Sequence, residues 1–286
     1  MKSMAEAKIA FQGEMGAYSE LAAREFFACE AKLCPTTTFE GVFSSVKNDE
    51  STHGIVPIEN SLTGSIHENY DLLLEYELPI TGEIKLRIVH NLIANPGVRM
   101  DRIRRIYSHP QALSQCKEFL KKMGQVELIT VYDTAAAVRM IRDGQMRDGA
   151  AVASAQAAFD YGLAILRAGI EDNQRNLTRF LIISKQETTP ASDPKTSIVF
   201  STSNVPGALH KSLGVFATRY INLLKIESRP IYGRPWEYLF YLDFEGDTRE
   251  ERCREALDEL TKVATFMKVL GCYEKGKEVD GRVYER

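Results

Sequence analysis

The sequence is short of almost every feature that would announce a chemistry. No run approaches the roughly 18 consecutive apolar residues of a membrane helix. The opening MKSMAEAKIAFQG is a lysine-bearing, mixed segment without an apolar core, so neither a membrane span nor a secretory signal is expected, and the cytoplasm is the expected compartment. The five cysteines, Cys29, Cys34, Cys116, Cys253 and Cys272, are odd in number, irregularly spaced and never form CxxC. That argues against a disulfide framework and leaves free, buried thiols as the expectation. The five histidines (His53, His67, His90, His109 and His210) show no HxxxH or HExxH spacing, so no metal and no cofactor is expected. GxSxG is absent too, which removes the common nucleophile elbow. A net charge of −3 gives no global reason to bind nucleic acid or an acidic membrane, and the run Arg102–Arg105, with Arg99 nearby, reads as a solvated face.

What is present is the composition of a globular protein, 44% hydrophobic and 26% charged, over 286 residues. That length exceeds one typical domain. The first two thirds alternate short apolar runs with helical spacing. KIAFQG (8–13) reads as a strand before a helix near Ser19, and Phe39, Val42, Phe43 and Val46 recur at i, i+3, i+4, i+7. GIVPI (54–58) is a strand, followed by a helix marked by Ile66, Tyr70, Leu73 and Leu74. ITGEIKLRIVHNLIA (80–94) suits one or two strands crossing between lobes. RIYS, ELITVY and GAAVAS are strands, each followed by a helix, at Pro110, at Thr134 and up to Tyr161. This alternation argues an α/β architecture with largely parallel sheets. QETTPASDP (186–194) reads as a linker. Beyond it the order becomes β-α-β-β-α-β, the ferredoxin-like split unit.

Short polar side chains gather at the strand-to-helix junctions: Gln12–Gly16 with Ser19, Glu59–Ser65, Ser108–Gln111, Thr134, and Ser154 with Gln156. Helix N-termini at the carboxyl ends of strands attract anions. Ser19 and Thr134 are expected to be simple N-caps. Asn60, Ser61 and Thr63 offer more donors than one cap requires. QRNLTRF (174–180) places Gln174, Arg175, Asn176, Thr178 and Arg179 before the strand FLII, where capping explains little. The residues support a donor-rich cleft for a small anion; by themselves they do not name a reaction.

At these positions the chain resembles the prephenate dehydratase family over essentially its whole length. The resemblance is carried by GIVPIENSLTGSI (54–66), YSHPQALSQC (107–116), DTAAAV (133–138) and NLTRFLIIS (176–184). NVPGALHKSL (204–213) and IESRP (226–230) look like the two signatures of an ACT domain. The resemblance implies an α/β two-lobed catalytic domain, like type II periplasmic binding proteins, over 1–187 and an α+β ferredoxin-like ACT regulatory domain over 188–286. It implies conversion of prephenate to phenylpyruvate, feedback inhibition by L-phenylalanine, and a homodimer or homotetramer. No segment long enough for a helical mutase domain precedes the match, so a monofunctional chain is expected.

The family also implies roles for particular residues. Thr178 would donate to the leaving hydroxyl, and Asn60, Ser61, Thr63, Ser108 and Gln111 would bind and orient the substrate. Arg179 and Phe180 complete the motif, although strand alternation points Arg179 away from Thr178 and Phe180. Asn204, Gly207, Ala208 and Leu209, with Glu227, Ser228, Arg229 and Pro230, would form the phenylalanine site. Two alternatives stay open: arogenate as the substrate, or a non-catalytic amino-acid sensor.

Overall fold

The computed structural model describes residues 7–27, 31–190 and 192–282; Cys29 lies outside them. The chain opens with β1 (Lys8–Gln12), α1 (Tyr18–Phe27), β2 (Lys32–Thr36), α2 (Phe39–Lys47) and β3 (His53–Asn60). β1 pairs in parallel with both β2 and β3. The helical spacing in the sequence is realised in α2, where Val42, Phe43 and Val46 are buried against the sheet. Its N-cap is Thr38, whose hydroxyl accepts from Gly41 N at 3.0 Å. β2 escaped the sequence reading because it is an edge strand carrying Pro35, a place where proline is tolerated.

After β4 (Gly64–Ser65) and α3 (His67–Tyr76), β5 (Ile80–Arg87) leads through residues 88–90 into a second lobe. That lobe comprises β6 (Asn91–Ala94), β7 (Arg105–Ser108), α4 (Pro110–Gln115), α5 (Lys117–Lys122), β8 (Glu127–Thr130), α6 (Thr134–Asp143), β9 (Gly149–Ala153), α7 (Ala155–Asp160) and β10 (Ala164–Arg167). Its sheet runs β10-β6-β9-β7-β8 around a core that includes Leu92, Ile106, Leu113, Cys116 and Val152. The sheet is mixed where a largely parallel one was expected. β7 is parallel to β8 and β9, but β6, entering from the crossover, is antiparallel to β9 and β10. The chain returns through residues 168–176 as β11 (Leu177–Ser184), which inserts between β5 and β3 of the first sheet.

Two expected caps are corrected. α6 is capped by Asp133, with Thr134 as its first helical residue, and Ser19 lies inside α1, after Tyr18.

The third sheet comes from β12 (Pro194–Ser201), β13 (Leu223–Pro230), β14 (Tyr238–Glu245) and β15 (Phe266–Glu274), with α8 (Ala208–Ala217) and α9 (Glu251–Val263) packed on it. Its antiparallel order β13-β14-β12-β15 is the ferredoxin-like arrangement. Pro230 ends β13 and does not interrupt it. Finally β16 (Glu278–Asp280) pairs in parallel with β5 at Lys85–Arg87. Two compact units result. One takes residues up to Leu72, Ile84–Leu181 and from Lys277 onward, and the other takes Leu73–Glu83 and Ile182–Gly276. Cys116 and Cys253 are free and buried, while Cys34 and Cys272 are free and only half-buried. No described helix is long and apolar enough to cross a membrane.

Candidate active site

Within the two-lobed unit a cavity of about 290 Å³ is lined from the first lobe by Gln12, Tyr18, Asn60, Thr178 and Phe180, and from the second by His109, Gln111, Gln115 and Asp133. Residues at the N-termini of α1, α2 and α6 (Tyr18, Phe39 and Thr134) also face it. No lysine or arginine is among its described liners. Positive potential therefore comes from helix N-termini, each worth a partial charge near +0.5. Asp133 is a counterweight: its carboxylate accepts from Ala135 N at 2.8 Å and Ala136 N at 2.9 Å, while burial raises its pKa. The lobes touch at Gly16 (φ 90°), where an added Cβ would lie 2.6 Å from Ala157 Cα. Its carbonyl accepts from the Ser154 hydroxyl at 2.6 Å.

Asn60 organises the donor cluster. Its Oδ1 accepts from Leu62 N (3.0 Å), Thr63 N (3.1 Å) and the Thr63 hydroxyl (3.2 Å), closing the turn after β3. Its Nδ2 donates to Asn176 Oδ1 at 2.7 Å and to Thr178 Oγ1 at 3.0 Å. A threonine hydroxyl that already accepts from an amide keeps its own proton for another acceptor. Thr178, on the cavity wall, can therefore donate into the cavity.

The structure brings together Thr178, Asn60, Gln111 and Phe180 at the cavity, and joins Thr63 to them through a Gln111 Nε2 to Thr63 Oγ1 bond of 2.9 Å. Three other candidates lie elsewhere. The Ser61 hydroxyl donates to Arg175 O (2.9 Å) and accepts from Leu177 N (3.0 Å), bracing the start of β11. Ser108 is fully buried and donates to Val152 O at 2.5 Å, tying β7 to β9. Arg179 points to the other face of β11, its guanidinium 4.0 Å from Glu59. In the ferredoxin-like unit, Ser201 and Arg229 are both in register with Leu239 of the intervening β14. The segment 204–209 and the end of β13 thus occupy one end of that sheet, on the order of 10 Å apart by strand spacing. Gly207, at φ 81°, starts α8 with no side-chain cap bond, while Asn204 and Ser228 are exposed.

Sequence reasoning missed three polar residues, Tyr18, His90 and Gln115, and gave Asn176, one of the donors before β11, no role of its own. Asn176 is fully buried and its Nδ2 donates to Gln115 Oε1 at 3.0 Å. His90 Nε2 lies 2.9 Å from that same oxygen, and its Nδ1 is 2.8 Å from the Tyr18 hydroxyl. Burial drives the His90 pKa down to about 4 and raises that of Tyr18. Gln115 Nε2 is buried without a hydrogen-bond partner, leaving a donor for a bound oxygen. One signal was available: Gln115 follows Gln111 by four residues in the short helix α4, so both amides share a face.

The family model for prephenate dehydratase matches residues 9–188, which contain every residue named at this cavity. Arogenate dehydratase 2 of Petunia hybrida is 45% identical over 93% of this chain and 71% of its own length. Among solved structures, a prephenate dehydratase from Arthrobacter aurescens, in complex with L-Phe, superposes with a TM-score of 0.87 at 29% identity, covering 94% of this chain and 90% of that one. A protein described as GqqA, a novel type of quorum quenching acylase, superposes at 0.86 with 36% identity, covering 93% of this chain and 97% of that one. With the motif residues gathered at one cavity and the match spanning more than half of its length, the chain belongs to the prephenate dehydratase family.

Proposed function

We propose that the chain converts prephenate to phenylpyruvate, with loss of carbon dioxide and water, in phenylalanine biosynthesis, under feedback from L-phenylalanine. The observation that carries this reading is the polarity of the Asn60–Thr178 hydrogen bond at a cavity with no lysine or arginine among its described liners. Prephenate is a dianion whose ring becomes aromatic when C1 loses its carboxylate and C4 its hydroxyl. The electron pair of the C1–carboxylate bond enters the ring, and the C4–O pair leaves with the oxygen. Such a reaction needs orientation and a donor at the departing oxygen, without a nucleophile.

Thr178 supplies that donor as a hydrogen bond or relay, since its hydroxyl is too weak an acid to surrender a proton unaided. The amides of Gln111 and Gln115 and the helix N-termini hold the carboxylates. Neutral donors suit this task, because a cation clamped on the departing carboxylate would oppose its loss. Among the described residues no imidazole or carboxylate is hydrogen-bonded to the Thr178 hydroxyl, whose partner is the Asn60 amide. No base is therefore placed to activate it as a nucleophile, which weighs against carrying the acylase description of the structural relative to this site. Arogenate, with an ammonium where prephenate has a keto group, is the second reading. It is favoured by the name of the Petunia relative and by Asp133, the single Asp or Glu among the described cavity liners.

In this reading residues 1–187 carry catalysis and 188–286 form the regulatory ACT domain. The uncapped start of α8 at Gly207, Ala208 and Leu209 receives the effector carboxylate. Asn204, Glu227, Ser228, Arg229 and Pro230 complete that site. The L-Phe complex of the Arthrobacter enzyme supports the choice of effector. Assembly as a homodimer or homotetramer and a cytoplasmic location belong to the same reading.

The test is turnover of prephenate and arogenate side by side, with and without phenylalanine. Thr178→Ala is expected to lower kcat by about 10²–10³ with its fold intact, and Thr178→Ser to retain a measurable fraction. An alanine variant as active as the parent would remove Thr178 from the mechanism. Turnover of neither substrate by the parent would leave an amino-acid sensor.

A further inference from the structure

The backbone fixes the amide orientations around Thr178, and these propagate outward to His90. Leu62 N and Thr63 N can only donate, so Asn60 must turn its side-chain oxygen to them and its NH₂ to Thr178 and Asn176. Asn176 therefore presents Oδ1 to Asn60 and Nδ2 to Gln115, which must answer with Oε1. That oxygen is also 2.9 Å from His90 Nε2, so Nε2 carries a proton. His90 Nδ1 is then an acceptor for the Tyr18 hydroxyl at 2.8 Å, which has Val89 O at 2.9 Å as a second acceptor.

We propose that His90, held as the neutral Nε2–H tautomer, is a positioning residue for the dehydration. It fixes Gln115 with its Oε1 toward Asn176 and, through Asn176, keeps Asn60 in the orientation that leaves the Thr178 proton for the substrate. The inference rests on the dehydratase reading above. With the other tautomer, two lone pairs, on Nε2 and on Gln115 Oε1, would face each other across 2.9 Å. Gln115 could relieve that only by turning its NH₂ toward His90. It would then set that NH₂ against Asn176 Nδ2, two donors facing each other. The imidazole is itself held in place. His90 N donates to Glu171 Oε2 at 3.0 Å, and Glu171 Oε1 is held by Arg87 at 3.2 Å. His90 is almost fully buried, so solvent offers no substitute partner.

The test has two parts. In ¹⁵N-histidine-labelled protein at pH 7, the His90 ring is expected to show a protonated Nε2 and a bare Nδ1; a protonated Nδ1 would overturn the proposal. Kinetically, His90→Gln can place an amide N–H near the Nε2 position, whereas His90→Asn reaches only the Nδ1 position. His90→Asn is expected to lower kcat by about 10²-fold, the usual cost of a small misplacement of reacting groups, with KM changed less than threefold. His90→Gln should recover at least a tenth of parental kcat. Equal losses in both variants, or a loss confined to KM, would overturn the positioning role, as would full kcat in His90→Asn. Circular dichroism and melting of each variant identify a protein that has not folded, in which case the tautomer measured in the parent decides. The two readings fail separately. A parent that turns over neither prephenate nor arogenate sinks the dehydratase reading and this inference with it. An active parent with the wrong tautomer sinks this inference alone.

Discussion

His90 has a second consequence at the scale of one residue, in stability. Its ring meets the Tyr18 hydroxyl and the Gln115 amide, and the Glu171 carboxylate holds its backbone N–H. Cys116 lies near the same tyrosine. Burial lowers the His90 pKa from 6.5 to about 4. Above pH 6.5 neither the folded nor the unfolded chain protonates this ring, and it contributes no pH dependence. Between pH 6.5 and about 4 the unfolded state takes up a proton that the fold refuses. Stability then falls with falling pH, by up to about 3 kcal/mol in all at 1.36 kcal/mol per pH unit. Urea denaturation at stepped pH is expected to show that decline in the parent and a smaller one in His90→Gln. Parallel curves would mean that the ring is not held neutral.

At the scale of elements, β12 carries an unusual feature. Lys195, the second residue of the strand, is buried with Nζ 2.8 Å from Glu83 and 3.3 Å from Asp243. Asp243 also accepts from Ser197 at 2.5 Å. Two carboxylates from β5 and β14 share one cation, so Lys195→Met should leave both without it and cost about 3–5 kcal/mol. The chevron or equilibrium midpoint in urea measures this, and a loss below 1 kcal/mol would show that water or protonation already relieves the pair. None of this was legible in the sequence, where Lys195 follows a linker proline and reads as surface. What was legible followed from periodicity: α2, β3, β9 and β11 bury a face or a whole strand, and the apolar spacing says so. β2 and β10 were not, because edge strands with half-exposed faces carry weak patterns. At the site, Asn60 stood out as a donor in excess of capping needs, Asn176 and Thr178 as donors that capping explains poorly, and Gln111 through the family resemblance. Gln115 and His90 did not, since a buried polar residue is defined by partners far along the chain: Gln115 lies 61 positions from Asn176.

At the scale of the molecule, the chain does not divide at one point. A cut after residue 187 would follow the sequence motifs, yet the two-lobed unit includes the returning segment from Lys277, and the other unit includes Leu73–Glu83. β16 supplies an edge to β5, and Asp280 lies 3.3 Å from Arg87. The same arginine reaches Glu171 at 3.2 Å and Gln174 O at 2.8 Å, bracing the return crossover that delivers Asn176 and Thr178. Truncation to residues 1–187 removes β16 and also strips Glu83 of Lys195, its buried partner. Without the β16 pairing and with Glu83 stripped of Lys195 and Gly276, the truncated chain is expected to melt below the parent. Asp280→Ala in the full chain should cost under about 1 kcal/mol, because that ion pair is partly exposed. Melting and turnover of the truncated, point-mutated and parent chains separate the possibilities. A truncated chain with parental Tm and kcat would mean that the catalytic lobes need neither β16 nor the second unit, and that regulation is an appendage. A truncated chain that melts early while Asp280→Ala does not would mean that the β16–β5 pairing and the Lys195–Glu83 pair carry stability that the Asp280 ion pair alone does not.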